Sequence, residues 1–304
     1  MINIQESFAR FTRPNYFSRV DNNHILELHI GLDHAGRESI ELRHNMKHHK
    51  LNGTDAIEIT QYTKTEYNTL RFSLKDASVK TLFYMICEDM IENTRDVKRI
   101  SEGYTAVVNR YHLWKKMFLS TKGTFLSESQ IMGLIGELLY LSGTLANEIG
   151  LTESLHSWSG QELAHKDFSY GNTWVEVKTV SSGKQSVRIS SLEQLESETD
   201  GILAVYSLEK MSENYNGITL NKLVKEILTK LHSVVDKEKF ISKLSLNGYV
   251  VHDYYDSFVY EKRNLSRYRV TESFPRLTHK DVSESIMKVT YEIALTKLSE
   301  FEIL

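Results

Sequence analysis

The pair Gly171-Asn172 constrains this chain more than any other feature, because it sets the register of the residues on either side. Gly-Asn is a signal for a two-residue hairpin loop. Here it separates Asp167-Phe168-Ser169-Tyr170 from Thr173-Trp174-Val175-Glu176-Val177-Lys178. With Gly171 and Asn172 as the loop, Tyr170 pairs with Thr173, Ser169 with Trp174 and Phe168 with Val175, so Asp167 falls opposite Glu176. Directly opposed residues share a sheet face, with Cβ atoms about 4.5–5.5 Å apart. Period-two alternation adds Lys178 to that face. The sequence therefore predicts two carboxylates and one ammonium converging on one surface. Opposed carboxylates repel unless a cation lies between them. Mg2+ is the natural occupant, a hard ion that takes one or two carboxylates, several waters and phosphate oxygens. A lone Glu-x-Lys occurs by chance in most chains of this length; the turn-set Asp167, and Val175 and Val177 facing a core, give this one its weight.

The rest of the chain reads as two regions. HILELHIGL, ESIELRH, DAIEIT and YNTLRFSL alternate apolar and polar residues and predict an antiparallel sheet over roughly 15–75, with turns at HAGRE and LNGTD. Helical spacing takes over at Val79, placing Leu82, Met85, Ile86, Asp89 and Met90 near one face, and a second helix follows in VVNRYHLWKKMFL. Ser127-Glu128-Ser129-Gln130 has the form of a capping box and predicts a long, largely buried helix over 127–148. Gly133 and Gly136 each cost such a helix about 1 kcal/mol relative to Ala, which suggests close approach by another element. Beyond a loop at HSWSGQELAHK and the hairpin, VRISSLEQLES begins as a strand and turns helical, and GILAVYSL is a buried strand. Residues 218–243 read as one amphipathic helix, YVVHDYYDSFVYEKRN and SRYRV as strands, and 281–298 as helix or strand. Alternating helix and strand after about residue 120 indicates an α/β (α+β) core. We expect a β-rich then helical N-terminal domain over 1–118 and a mixed α/β domain over 119–304.

Bulk properties narrow the function classes. With 304 residues, 37 basic against 40 acidic, the chain carries a net charge of −3. A chain that coats nucleic acid through its overall field is usually basic, so any nucleic-acid contact must use local basic surface. The single cysteine, Cys87, excludes a disulfide framework and fits a reducing interior. MINIQESFARF lacks the apolar core of a signal peptide. No apolar run reaches the roughly 18 residues needed to span a bilayer. A cytoplasmic protein without membrane contact is expected.

Asp167…Glu176-Val177-Lys178, preceded by a capped helix with Gly136-Glu137-Leu138, resembles the PD-(D/E)XK nuclease superfamily, and most of all its branch of restriction-type proteins of about 300 residues. The resemblance covers most of the chain and includes Gly133–Leu139, Trp158-Ser159-Gly160, Asp167-Phe168, Glu176-Val177-Lys178, and Tyr268-Arg269-Val270 with Phe274-Pro275-Arg276. One departure is Lys166, which stands where the motif has Pro, a position that varies without bearing on the metal site. The resemblance implies a restriction-endonuclease-like mixed sheet flanked by helices. It implies that Asp167 and Glu176 ligate Mg2+ (or Mn2+ in its place), with the Val177 carbonyl as a backbone ligand and Glu137 completing the site. Lys178 would orient or deprotonate the attacking water, and Gln194 resembles a downstream polar residue of several branches, although an exposed helix Gln reads as well there.

The implied substrate is double-stranded DNA, cut by a homodimer in restriction or phage defence, with a companion methyltransferase or ATPase subunit as a further partner. Two rivals stand beside it: a catalytically silent DNA- or protein-binding member of the fold, and a structure-specific repair nuclease. Segment 259–280 holds Lys262, Arg263, Arg267, Arg269, Arg276 and Lys280 against Glu261 and Glu272. With Tyr260, Tyr268 and Phe274 interleaved, it reads equally as a phosphate-gripping surface and as a solvated strand face. Lys184 and Arg188, just past the hairpin, are better placed to touch backbone phosphates. His24, His29, His34, His44, His48 and His49 have no cysteine partner nearby and read as strand-surface residues rather than a zinc site. Trp158 and Trp174 read as packing around the centre.

Overall fold

Five short strands make the first sheet. The computed structural model describes residues 3–119, 125–159 and 166–303, and the chain divides into two units, 1–124 with 250–253, and 125–249 with 254–304. In the first unit, β1 (Tyr16–Arg19), β2 (Glu27–Leu32), β3 (Glu38–His44), β4 (Ile57–Thr63) and β5 (Asn68–Leu74) form a sheet in the order β1-β2-β3-β5-β4, with every neighbour antiparallel. The expected sheet over 15–75 is thus present, with β1 as an addition that four residues of pattern did not announce. Gly36 has φ +76°, as its turn requires. A short α1 (Ile4–Phe8), α2 (Lys80–Glu92) and α3 (Ile100–Leu119) complete the unit. Leu82, Met85, Ile86 and Met90 of α2 are buried as their spacing predicts, as is Cys87, whose thiol burial pushes well above its ordinary pKa.

The second unit is built on a mixed sheet. Its strands β6 (Phe168–Tyr170), β7 (Thr173–Ser181), β9 (Gly201–Met211), β10 (Val259–Val270) and β12 (Glu302–Ile303) lie in the order β12-β10-β9-β7-β6, while β8 (Ser186–Ile189) pairs with β11 (Tyr291–Ala294). Among the described residues only β7 and β9 pair in parallel. Trp174, Leu203, Val205, Tyr268 and Val270 pack one face of the sheet against Val187, Ile189 and Ile293 of the β8–β11 pair. Gly201 is needed for that packing, since a Cβ there would lie 2.1 Å from the Trp174 ring.

The other face carries α4 (Glu128–Leu139). Ser127 and Gln130 form the expected capping box. The helix runs on through a π-helical stretch, Tyr140–Leu145, into α5 (Ala146–Ile149) and ends at Gly150, φ +88°. The long helix read from the sequence is therefore there, with one local widening. A Cβ on Gly136 would meet Thr179 Cγ2 of β7 at 2.4 Å, whereas one on Gly133 would meet nothing within 4 Å. The close approach belongs to Gly136 alone. A short α6 (Leu151–Ser157) follows.

Two expectations need correction. Residues 218–243 are not one helix but α7 (Leu220–Lys230) and α8 (Val234–Leu246). The chain turns extended at Leu231 and restarts where Ser233 accepts the Asp236 N–H, a cap that apolar periodicity cannot see. Residues 249–258 are not a strand: a 3-10 turn covers Asp253–Ser257, and the strand begins at Val259, bulging between Lys262 and Asn264. The C-terminal stretch 281–298, read as helix or strand, holds the strand β11 with 3-10 turns beside it. Of the loop expected at HSWSGQELAHK, residues 160–165 lie outside the described residues. No helix among the described residues is long and apolar enough to cross a membrane.

Candidate active site

The hairpin forms in the register that its turn dictates. Gly171 adopts φ +55°, the conformation a glycine-first two-residue turn needs, and Tyr170, Ser169 and Phe168 pair with Thr173, Trp174 and Val175. One step further, Asp167 lies opposite Glu176. Its Oδ2 accepts the Val177 N–H at 2.7 Å, taking over the next ladder bond where β6 ends. On its other side the Asp167 carbonyl accepts the Ser159 N–H at 2.8 Å. The aspartate is thus pinned by two neighbouring segments.

Glu176 and Lys178 interrupt an apolar row. On the same face of β7, Trp174 and Val180 belong to the apolar cluster, yet the Glu176 side chain between them is only 2 % exposed. Lys178 Nζ donates to Glu176 Oε1 at 2.6 Å, but Glu176 Oε2 is buried with no hydrogen-bond partner. A buried carboxylate oxygen without a partner costs free energy, and such costs concentrate at functional sites.

Glu137 joins this group from α4. Its Oε2 accepts the Trp158 Nε1–H at 2.8 Å, which gives Trp158 the supporting place expected of it. Burial and repulsion from Asp167 and Glu176 raise the Glu137 pKa well above the carboxylate range. Burial and then Asp167 push Glu176 up to about 8. Burial also raises Asp167, against the opposing Lys178 charge and the Val177 N–H. For Lys178, burial works against the charged form, but Glu176 and Asp167 more than offset it and hold its pKa above the usual lysine value. Three carboxyls and one ammonium thus share one field, and they remain reachable, since Glu137, Asp167 and Lys178 are only part-buried.

The donor set suits a hard divalent cation. An added positive charge would relieve the three raised carboxyls together and pair the orphaned oxygen of Glu176. Among the described residues no three Asp, Glu, His or Cys side chains already form a metal cage. The fit therefore rests on the opposed Asp167 and Glu176, with Glu137 in their field.

The remaining candidates scatter. Gln194 lies in a 3-10 turn, Leu192–Gln194, and its Oε1 accepts the Ser190 N–H at 2.8 Å. Lys184 and Arg188 are exposed after β7. Arg263 is paired with Glu209 and Glu261, and Arg267 with Glu148. Arg267 and Arg269 alternate with Tyr268 and Val270 of the apolar cluster, so they project from the sheet face opposite Glu176 and Lys178. Arg276 is different: it bonds the Leu195 carbonyl at 2.6 Å and feels the charge of Lys166.

Across residues 4–296 the chain matches the family described as "Putative PD-(D/E)XK family member, (DUF4420)". The chain belongs to the DUF4420 family. No significant match was found among curated proteins or among solved structures. That description sets the DUF4420 family beside the PD-(D/E)XK nucleases, which generally use Mg2+ or a similar divalent ion, and the mixed α/β fold is consistent with theirs. In this DUF4420 chain the residue replacing the motif's Pro is not idle. Lys166 Nζ donates to the Glu193 and Glu196 carbonyls at 2.6 and 2.9 Å and lies 3.8 Å from the Trp174 ring centroid. Burial lowers its pKa to about 8. It braces the turn carrying Gln194 against the hairpin of Asp167 and Glu176, a role no sequence spacing revealed.

Proposed function

We propose that this protein is a Mg2+-dependent endonuclease that hydrolyses phosphodiester bonds of double-stranded DNA, in the manner of a restriction or phage-defence enzyme. The observation that carries the reading is the buried, unpartnered oxygen of Glu176, set opposite Asp167 and beside Lys178. Asp167 and Glu176 would hold the ion, with the Val177 carbonyl and Glu137 as further oxygen donors. When bound, the ion supplies Lewis acidity, polarising the phosphate and lowering the pKa of water nearby. Lys178, kept charged by its carboxylate neighbours, orients the attacking water and neutralises charge gathering on the phosphate. Water attacks phosphorus and the bond to the 3′ oxygen breaks, leaving a 5′-phosphate and a 3′-hydroxyl. Gln194 would flank the centre on the turn that Lys166 braces. Lys184 and Arg188 are the exposed cations placed to meet backbone phosphates.

Cutting both strands favours a homodimer, and the first unit would serve recognition, dimerisation or docking of a partner subunit. The test is cleavage of plasmid and phage DNA, methylated and unmethylated, with Mg2+ or EDTA. Wild type should give discrete Mg2+-dependent fragments. Lys178→Ala should lose about 100-fold or more of that activity. Intact duplex binding without cleavage by wild type would sink the reading of a self-sufficient nuclease and favour a silent binding member of the fold. Cutting confined to flaps or mismatches would favour repair over restriction.

A further inference from the structure

Two features of the second unit flank β11. The first is the stretch 282–290 that leads into it. Ile286 is 53 % exposed and Met287 95 %, the most exposed large apolar side chain among the described residues. Leaving such side chains in water forfeits their burial free energy. The loop's exit is fixed, because Thr290 Oγ1 donates to the Ser190 carbonyl at 3.4 Å and Tyr291 pairs with Ile189. Lys288 stands exposed beside Met287.

The second feature is a cleft of about 400 Å³ whose lining includes Arg276, Tyr291, Ile293, Lys297 and Leu298. The Tyr291 hydroxyl accepts the Leu277 N–H at 3.3 Å and Arg276 bonds the Leu195 carbonyl at 2.6 Å, which fix the ring and one cation at the cleft wall. Glu292 also lines the cleft, its Oε2 accepting the Ser186 hydroxyl at 2.6 Å. The aromatic ring, apolar walls and two cations in a space of this size match one nucleotide, a base against the tyrosine with phosphates beside Arg276 and Lys297.

We propose that the enzyme takes DNA with one nucleotide extruded from the base stack, Ile286 and Met287 filling the gap and the Tyr291 cleft receiving the base. Apolar side chains on DNA-binding proteins enter base steps in this way, and an extruded base needs a pocket to hold it. Wedge and pocket lie on consecutive stretches of one chain segment, 282–290 and the β11 stretch that follows it. The inference rests on the nuclease reading of Asp167, Glu176 and Lys178.

The test compares two short duplexes, one fully paired and one with a single mismatched 2-aminopurine, a base whose fluorescence rises when it is unstacked. Binding is measured by anisotropy in EDTA with wild type and with the double variant Ile286→Ser, Met287→Ser, whose exposed positions spare the core. An unpaired base costs less to extrude, so wild type should bind the mismatched duplex about tenfold more tightly, with a fluorescence rise. The double variant should lose both preference and rise while keeping salt-dependent binding to paired DNA. Equal wild-type affinity for the two duplexes without a fluorescence rise overturns the proposal, as does a double variant that keeps preference and rise. So does a double variant that turns a wild-type oligomer into monomers with fluorescence unchanged, since the loop would then be a protein contact. Failure of the nuclease reading looks different: Mg2+ then yields no cutting of either duplex. Failure of extrusion alone leaves Lys178-dependent cutting of paired DNA intact.

Discussion

Glu176 shows at the scale of one residue how the site differs from the core around it. Its carboxyl occupies a place between Trp174 and Val180 where an apolar side chain would pack, and burial and Asp167 raise its pKa to about 8. The sign of the consequence is fixed by linkage. Between the unfolded value near 4.5 and 8, the folded chain holds more protons than the unfolded one, so stability falls as pH rises through that window. Glu137 and Asp167 shift in the same direction. Thermal unfolding in EDTA should therefore show a melting temperature that drops by several degrees from pH 5 to pH 8 and then levels. Glu176→Gln, which carries no titrating proton, should flatten that slope. A wild type whose melting temperature rises over this range would show that the carboxyls are not held as described. Gln194 belongs to the same scale: its side chain is committed to the Ser190 N–H, which makes it a support of its turn before it is anything else.

At the scale of elements, the contact of α4 with β7 sets the distance between Glu137 and the hairpin. Gly136→Ala gains helix propensity but drives a methyl into Thr179 Cγ2, a stiff β-branched side chain. Overpacking of this kind costs about 1–3 kcal/mol against a helix gain of about 1 kcal/mol, so the variant should be destabilised by about 1 kcal/mol. In a Thr179→Ser background, where that methyl is gone, the cost should vanish. Gly133→Ala, with open space around its Cβ, should instead stabilise by up to about 1 kcal/mol. Urea denaturation of the three variants checks all of this, and equal effects at both glycines would contradict the packing described. The same elements show what was legible in the sequence. The hairpin register could be read because a Gly-Asn turn acts over six residues, and the capping box because it spans four. The break at Leu231 and the strand start at Val259 could not, since tertiary burial of Leu231 and Tyr255 decides where the backbone leaves its local pattern. Lys166 was passed over for the same reason: its partners Glu193 and Glu196 lie 27 and 30 residues away.

At the scale of the whole molecule, a net charge of −3 means that the chain has no general attraction for a polyanion. The basic stretch of 259–280 does not act as one surface either, because Arg263 and Arg267 are paired with glutamates and Arg267 and Arg269 face away from Glu176. Under the proposed function, contact with DNA would come from a few local cations, and its salt dependence should correspond to few phosphate contacts. The return of Val250–Asp253 to the first unit is a finding of the same scale, with no trace in composition or periodicity. The proposed chemistry stands on a divalent-cation site formed by Asp167 and Glu176. Calorimetric titration of Mg2+ into wild type, Asp167→Asn and Glu176→Gln tests it most directly. The account predicts saturable binding by wild type that weakens at least tenfold, about 1.4 kcal/mol, in each variant. Binding of equal strength by all three proteins, or none by any of them, would contradict it.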